Sequence, residues 1–183
     1  RHPANRDCLI SRVQCEFPGA QVVHRLDYDT SGIVLLPLTK KALSALSKQF
    51  QARTISKRYT ARVAGQLSAG AGEINLPIAP DAECRPLYKI CQLTGKPSLT
   101  RYRVLEYRAG DDTTLVELEP VTGRSHQLRL HLAAVGHPIL GDTLYAPAEI
   151  AAAVPRLLLH AARIEFTHPL TGKLLQLQAP LTF

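Results

Sequence analysis

Apolar and polar residues follow two spacings in the first third of the chain, and these predict a strand, a helix and a second strand. Residues 31–39 contain four consecutive aliphatic side chains, which is typical of a buried strand. Residues 40–52 carry apolar side chains every three or four positions and predict an amphipathic helix, which Thr39 can cap. From 57 to 64 apolar and polar side chains alternate, as in a strand with one buried face.

The second half of the chain predicts a hairpin and then a longer helix. Residues 99–108 and 113–120 have the pattern of two strands, and the turn between them contains Gly and Asp. Residues 123–136 predict a helix with Ser125 as its N-terminal cap and Gly136 at its end.

Shorter elements near the C-terminus complete the pattern and indicate the fold class. Residues 147–154 predict a short helix, and 157–166 and 173–179 predict two closing strands. The stretches around 65–72 and 77–97 are polar and rich in Gly and Pro, and the short apolar run Ile74-Asn75-Leu76 interrupts them. Strands outnumber helices and hairpins favour antiparallel pairing. The sequence therefore predicts an α+β fold with a mixed, mainly antiparallel sheet flanked by helices.

Length and composition indicate one compact domain over residues 1–183. The chain is 45% hydrophobic, enough for a substantial core. Its longest apolar runs are far shorter than the ~20 residues that span a bilayer, and no targeting pattern is present. We therefore expect a cytoplasmic protein. The absence of methionine and the start at Arg1 suggest that an N-terminal segment is missing.

Charge is the strongest compositional signal. The formal net charge is +7, and basic proteins without membrane segments most often bind polyanions. No acidic residue occurs between Thr30 and Gly72, whereas seven basic residues do: Lys40, Lys41, Lys48, Arg53, Lys57, Arg58 and Arg62. One sign of charge over such a length favours a nucleic-acid backbone as partner, with a solvated surface as the alternative.

Cysteines and glycines give no sign of a metal or a cofactor. The four cysteines lack the short CxxC spacing of a zinc site, and they are interpreted as reduced thiols: Cys8, Cys15, Cys84 and Cys91. The spaced glycines lack the lysine and strand context of a phosphate loop. The sequence thus predicts chemistry that uses neither metal nor cofactor.

A polar cluster at 24–32 lies between two apolar stretches and is the first candidate for chemistry. In an extended chain Arg25, Asp27 and Asp29 share one face. An adjacent arginine favours the ionised carboxylate, which can act as a nucleophile or a general base. A structural ion pair at a turn explains these residues equally well.

Two further clusters are basic. In the predicted helix, His126 and Arg129 are three residues apart and would share one face, as they also would on a solvated basic helix. Tyr59 follows Lys57 and Arg58, and an aromatic side chain in a basic strand is a stacking platform for an unpaired base. Simple packing of the ring is the alternative.

Taken together and in order, these motifs resemble those of the RluA family of RNA pseudouridine synthases. The motifs are His24-Arg25-Leu26-Asp27 with Thr30-Ser31-Gly32, Lys57-Arg58-Tyr59, Gly123-Arg124-Ser125-His126-Gln127-Leu128-Arg129 and Gly136-His137-Pro138-Ile139-Leu140-Gly141-Asp142. The resemblance covers nearly the whole chain. It implies a single catalytic domain with a central active-site cleft, of the small branch without an S4-like RNA-binding extension.

The resemblance also implies roles for individual residues. Asp27 matches the essential aspartate, and Arg129 matches the arginine that pairs with it. Tyr59 matches the tyrosine that stacks on the target uracil, and Arg25 matches the residue that fills the gap left by the extruded base. We also expect five further basic residues and His126 to bind RNA: Lys40, Lys41, Lys57, Arg58, Arg124 and His126.

The implied reaction isomerises specific uridines to pseudouridine without a cofactor. The N1–C1′ bond breaks, the uracil turns, and C5 rejoins the ribose. The expected substrates are a tRNA anticodon stem-loop, a 23S rRNA hairpin loop, or both, bound by a monomer. Three alternatives are an rRNA-only synthase, a non-catalytic RNA-binding module, and a glycoside hydrolase that uses Asp27 and Asp29 as a carboxylate pair.

Overall fold

A central sheet with helices against it organises the protein, as a computed structural model describes it for residues 7–68 and 70–183. The helices are α1 (Leu9–Glu16), α2 (Lys40–Ala52), α3 (Gln127–Ala134) and α4 (Ala148–Ala152). The strands are β1 (Ser31–Gly32), β2 (Ser56–Ala64), β3 (Ala71–Asn75), β4 (Ile78–Pro80), β5 (Tyr88–Ile90), β6 (Leu99–Arg108), β7 (Thr113–Pro120), β8 (Leu159–Thr167) and β9 (Leu174–Gln178). Across these two ranges no helix combines the length and the apolar character needed to cross a membrane.

Seven strands form the main sheet in the order β1-β8-β2-β7-β6-β3, with β9 beside β8. Strand β1 runs parallel to β8, and the other pairs of this sheet are antiparallel. A separate two-stranded sheet joins β4 and β5. The predicted α+β class with a mixed, mainly antiparallel sheet is confirmed.

Local patterns account for the elements that form the centre of the sheet. The alternation in β2 places Ala61 opposite Val116 of β7, and both are fully buried. The β6–β7 hairpin spans the predicted residues. Helix α2 also matches its prediction, and the Thr39 side chain accepts a hydrogen bond from the Ala42 N–H at 3.2 Å. These caps and cross-strand contacts act over a few residues or one strand pair, so the sequence alone indicates them.

Helices α2 and α3 cover one face of the sheet at two separate places. Leu46 of α2 packs in a cluster with Ile164 and Phe166 of β8. Helix α3 contributes to a larger cluster that includes residues of β2, β7 and β8: Ala61, Val63, Val116, Leu118, Leu128, Leu132 and Leu159. The strand registers place both clusters on the same face as Lys57 and Tyr59. A gap over these two residues is left between the helices.

Three predictions about local structure were wrong. Only Ser31–Gly32 of the predicted strand 31–39 pairs in the sheet. Helix α3 begins at Gln127 rather than at 123, because His126 adopts a left-handed conformation (φ 55°) that helical geometry excludes. Ser125 therefore lies before the helix and does not cap it. The stretch 77–97 contains the β4–β5 hairpin.

Candidate active site

The gap between helices α2 and α3 is a cleft of about 680 Å³ whose floor includes Lys57 and Tyr59. Among the described residues, five cationic side chains line it: Arg25, Arg53, Lys57, Arg101 and Arg124. Two carboxylates, Asp27 and Glu119, also line it. The cleft is therefore predominantly positive, which favours a polyanionic ligand.

Asp27 lies at the edge of this cleft on a tight turn. The Thr30 N–H donates to the Asp27 carbonyl oxygen at 3.1 Å, so the chain reverses directly after Asp27. The following β1 strand then lies against β8, where a Cβ on Gly32 (φ 108°) would collide with the Ala161 carbonyl. Only glycine fits this close approach. The Asp27 side chain keeps 18% of its surface exposed, so a ligand in the cleft can reach it.

The segment 24–27 precedes this turn and forms no regular strand. His24, Arg25, Leu26 and Asp27 all contribute to the lining of the cleft. Asp29 is exposed and lies outside the cleft. The carboxylate pair that a glycoside hydrolase would need at these positions is therefore not assembled.

His24 holds the loop that carries Asp27. Its Nε2 accepts a hydrogen bond from the Leu35 N–H at 2.9 Å, and its ring lies 4.8 Å from the Phe50 ring. Burial, and secondly the positive charge of Lys57, lower the pKa of His24 to about 4. The imidazole is thus neutral at pH 7, as its role as an acceptor requires.

Tyr59 is partly buried and lines the cleft. Tyr59 lies on β2 opposite Leu118 of β7, and this pairing fixes its backbone in the middle of the sheet. Burial, and secondly the negative charge of Asp27, raise the pKa of Tyr59 to about 12. The hydroxyl therefore stays protonated at neutral pH.

Lys57 is a partly buried cation beside Tyr59. Burial lowers the pKa of its ammonium. Within residues 7–68 and 70–183 it forms no ion pair with a carboxylate at 4.0 Å or less. A cation desolvated without a partner is an attractive contact for a phosphate or a carbonyl oxygen of a ligand.

The prediction that Arg129 forms an ion pair with Asp27 was wrong. The Arg129 guanidinium forms two hydrogen bonds to Asp142, from Nε to Oδ2 at 2.8 Å and from NH2 to Oδ1 at 2.5 Å. Both side chains are almost fully buried, at 2% and 1% exposure. Asp142 also accepts the N–H groups of Leu144 and Tyr145. Within the described residues no hydrogen bond or ion pair joins Arg129 to Asp27, so the guanidinium acts on Asp27 through its charge.

His126 is the group that approaches Asp27 most directly in the second motif. Its Nε2 lies 4.0 Å from Asp27 Oδ1. It precedes the helix, where the Gln127 side chain accepts hydrogen bonds from Thr122 Oγ1 at 2.8 Å and from the Arg124 N–H at 3.0 Å. The expectation that His126 and Arg129 share a helix face was therefore wrong.

The structure separates the predicted RNA-binding residues into two groups. The first group lines the cleft: Arg25, Lys57, Arg124 and His126. In the second group, Arg58 lies on the opposite face of β2 and pairs with Glu117 at 2.8 Å. Lys40 and Lys41 are exposed at the start of α2 and lie outside the cleft.

Several residues around the site were not predicted. Arg53 and Phe50, near the end of α2, line the cleft. Asp142 and Tyr145 lie behind His126 and Arg129. A signal existed for Asp142, because it is the last residue of the motif that begins at Gly136 and contributes to the family resemblance.

Comparisons of the sequence and of the fold with known proteins identify the relatives of this chain. The RNA pseudouridylate synthase family matches residues 13–134. The Escherichia coli (strain K12) dual-specificity RNA pseudouridine synthase RluA is 48% identical over 98% of this chain and 81% of its own length. The Pasteurella multocida (strain Pm70) protein of the same name is 49% identical over 99% of this chain and 82% of its own. The solved structure of human RNA pseudouridylate synthase domain containing 1 superimposes with a TM-score of 0.83 at 34% identity, over 94% of this chain and 73% of that one.

The chain belongs to the RNA pseudouridylate synthase family. This confirms the resemblance noted from the motifs. Within the family it is similar to the dual-specificity enzymes named RluA, and it is an RNA pseudouridine synthase, an isomerase that acts on uridine in RNA.

Proposed function

We propose that this protein isomerises a uridine extruded from an RNA loop, with Asp27 as the reacting carboxylate. The observation that carries the proposal is the position of Asp27, partly exposed at the edge of a cationic cleft that also contains Tyr59. A non-catalytic RNA-binding module would have no need for a carboxylate in a cleft that binds phosphates. The cleft volume of about 680 Å³ lies within the range of pockets that bind small organic ligands.

Extrusion of the nucleotide is required by the chemistry. The glycosidic bond of a stacked base is out of reach of a protein side chain, so the nucleotide must leave the helix. Extrusion costs a few kcal/mol and is easiest in a loop, which favours stem-loop substrates. Arg25 lines the cleft next to Asp27 and is suited to fill the gap that the base leaves.

Two routes can start from the Asp27 carboxylate. In one, it attacks C1′ and displaces the uracil from N1. In the other, it removes a ribose proton and the N1–C1′ bond breaks by elimination. In both, the uracil then turns within the cleft and C5 bonds to C1′. In the first route this displaces the Asp27 carboxylate from C1′, and in the second the ribose regains the proton that Asp27 removed. The proton on C5 is then lost and N1 gains one. Tyr59 is placed to stack on the uracil during the turn, when the base has no covalent bond to the RNA.

We propose as substrates a tRNA anticodon stem-loop and a 23S rRNA hairpin loop, bound by a monomer in the cytoplasm. The names of the bacterial relatives, which describe dual specificity, support two kinds of RNA. The test incubates the protein with total tRNA and rRNA from a strain lacking the activity and maps new pseudouridines by carbodiimide modification. New sites in both RNAs support the proposal, sites in rRNA alone reduce it to an rRNA enzyme, and no new site in any RNA refutes it.

Replacing Tyr59 separates stacking from hydroxyl chemistry. Tyr59→Ala is expected to slow pseudouridine formation roughly 5- to 150-fold, the effect of losing about 1–3 kcal/mol of base stacking. Tyr59→Phe keeps the ring and should stay close to the wild-type rate. Single-turnover assays on one stem-loop measure both, with circular dichroism as the control for folding. An equal loss in Tyr59→Phe would contradict the stacking role and assign the effect to the hydroxyl.

Salt dependence distinguishes cations in the cleft from those outside it. Arg124 lines the cleft, whereas Lys48 is exposed on helix α2 and lies outside it. Arg124→Ala should reduce the slope of log affinity against log salt by about 0.7–1, as expected when one phosphate contact is lost. Lys48→Ala should leave the slope unchanged. Filter binding of a stem-loop between low and moderate salt measures the slope for each variant. Equal slopes for Arg124→Ala and Lys48→Ala would contradict the proposed binding surface.

A further inference from the structure

A chain of polar contacts leads from the β4–β5 sheet to the carboxylate of Asp27. The Tyr88 N–H donates to Tyr145 Oη at 3.0 Å. Tyr145 Oη lies 2.7 Å from His126 Nδ1. The other ring nitrogen of His126, Nε2, lies 4.0 Å from Asp27 Oδ1. His126 lines the cleft, whereas Tyr145 lies behind it.

The first contact of this chain fixes the direction of the others. A backbone N–H can only donate, so Tyr145 Oη accepts from Tyr88. The phenol has one proton, and the acceptor within hydrogen-bond distance in the described part of the chain is His126 Nδ1. With Nδ1 as acceptor, a neutral imidazole carries its proton on Nε2. That N–H faces the carboxylate of Asp27.

The opposite tautomer fails at both ends of the ring. A proton on Nδ1 would give Tyr145 Oη two donors and leave the phenol proton without a protein acceptor in this partly buried position. The lone pair of Nε2 would then face the Asp27 carboxylate and repel it. Electrostatics and hydrogen bonding therefore select the same tautomer.

Packing holds both rings in place. The His126 ring makes edge contacts with the rings of Tyr88 and Tyr145, with centroids 5.4 and 5.6 Å away. The Arg129 guanidinium lies 5.5 Å from the centre of the Tyr145 ring and is itself held by Asp142. Tyr145 is thus fixed by a backbone donor at its hydroxyl and by a cation at its ring.

The charges around His126 come from three segments. Arg25 and Asp27 approach it from the motif before β1, Arg129 from helix α3, and Asp142 from the turn after Ile139-Leu140. Burial lowers the pKa of His126, in spite of the opposing effect of Asp27, so the neutral ring is favoured at pH 7. Neutrality is what the tautomer argument requires.

We propose that His126, held as the Nε2–H tautomer by Tyr145, orients the Asp27 carboxylate toward the flipped nucleotide, and that Tyr145 is a positioning residue acting through His126. This inference rests on the proposed role of Asp27. The 4.0 Å separation is longer than a hydrogen bond, and such contacts often tighten when substrate binds.

The tautomer can be observed directly, without RNA. In protein labelled with ¹⁵N-histidine, long-range ¹H–¹⁵N correlation spectra distinguish Nδ1–H from Nε2–H, and the His126→Asn variant identifies the signal of this residue. We expect Nε2–H in the wild type and a mixture of tautomers in Tyr145→Phe. A wild-type spectrum that shows Nδ1–H would overturn the proposal.

Kinetics test the consequence for Asp27. Tyr145→Phe keeps the ring over Arg129 and removes only the hydroxyl, so single-turnover rates should fall roughly 5- to 10-fold, about the effect of one hydrogen bond, with RNA affinity unchanged within twofold. Tyr107→Phe is the matched control, because Tyr107 donates to Asp112 at 2.9 Å on exposed β6 outside the cleft. Wild-type rates in Tyr145→Phe would contradict the positioning role.

Two replacements of His126 test which ring nitrogen matters. The amide nitrogen of His126→Gln reaches the region of Nε2, whereas that of His126→Asn reaches only the region of Nδ1. The glutamine variant should therefore retain more activity, and the reverse order would contradict the proposal. If the wild-type protein forms no pseudouridine in any RNA, the proposed function fails, whereas the tautomer measurement keeps its own outcome.

Discussion

Asp27→Ala is expected to abolish pseudouridine formation, lowering the rate by at least about 10³-fold, while the RNA still binds. The rate falls because either route from Asp27 needs a carboxylate at the reacting ribose. Asp29, the nearest carboxylate in sequence, is exposed and outside the cleft. Binding persists because cationic side chains and phosphates supply most of the affinity for RNA.

Asp29→Ala is the matched control for this experiment. It removes the same group two residues away, from a position that does not line the cleft, and should keep the wild-type rate. Single-turnover formation of pseudouridine in a stem-loop, with filter binding in parallel, measures both variants. Residual turnover by Asp27→Ala above the uncatalysed level would contradict the role of Asp27 as the reacting carboxylate. An equal loss of rate in Asp29→Ala would show that the rate depends on negative charge near the turn and not on a carboxylate at the ribose.

Elements governed by contacts between neighbouring residues could be predicted from the sequence. The alternation of apolar residues fixed the face of β2 that carries Lys57 and Tyr59, and this face forms the floor of the cleft. Helix α2 and its Thr39 cap followed from spacing and one side-chain hydrogen bond. In these cases the interactions that decide the structure lie within a few residues of each other.

The start of helix α3 could not be predicted, because a distant strand decides it. Gln127 donates to the Leu99 carbonyl oxygen and to Thr100 Oγ1 of β6, at 3.0 and 3.1 Å. Its oxygen holds the preceding turn. This arrangement ties the segment to the sheet and leaves His126 outside the helix, where spacing along the chain predicts a continuous helical face.

The ion-pair partners of two arginines were the second feature that could not be predicted from the sequence. The family resemblance pairs Arg129 with Asp27, and nothing in the spacing along the chain indicates Asp142 as its partner. The turn after Leu140 buries Asp142 beside the guanidinium, and this tertiary contact takes the bidentate geometry. Arg58 is a similar case. The basic segment around it predicted that it binds RNA, whereas its position on β2 places it in an ion pair with Glu117.

Breaking the Arg129–Asp142 pair is expected to have the largest effect on stability. Arg129→Met should lower the free energy of unfolding by about 3–5 kcal/mol, because Asp142 then remains charged and buried without its partner. For a domain of this size the loss corresponds to a fall in Tm of roughly 6–20 °C. The activity should fall as well, since Arg129 supports the ring of Tyr145 behind His126.

A double-mutant cycle separates the ion pair from simple loss of packing. Asp142→Asn keeps an acceptor for the N–H groups of Leu144 and Tyr145 but removes the charge. If the unpaired charge causes the loss, Arg129→Met with Asp142→Asn should be more stable than the sum of the two single losses predicts. Urea denaturation of the four proteins gives this coupling energy.

The exposed pair of Arg12 with Asp7 provides the control for the buried one. Its two side chains retain 72% and 68% of their exposure, so water and salt screen the attraction, and Arg12→Ala should leave the Tm unchanged. Additive losses in the cycle, or an Arg129→Met variant as stable as Arg12→Ala, would mean that the buried pair contributes no more than a surface pair does. The arginine would then be free to act on Asp27, as its place in the motif first indicated.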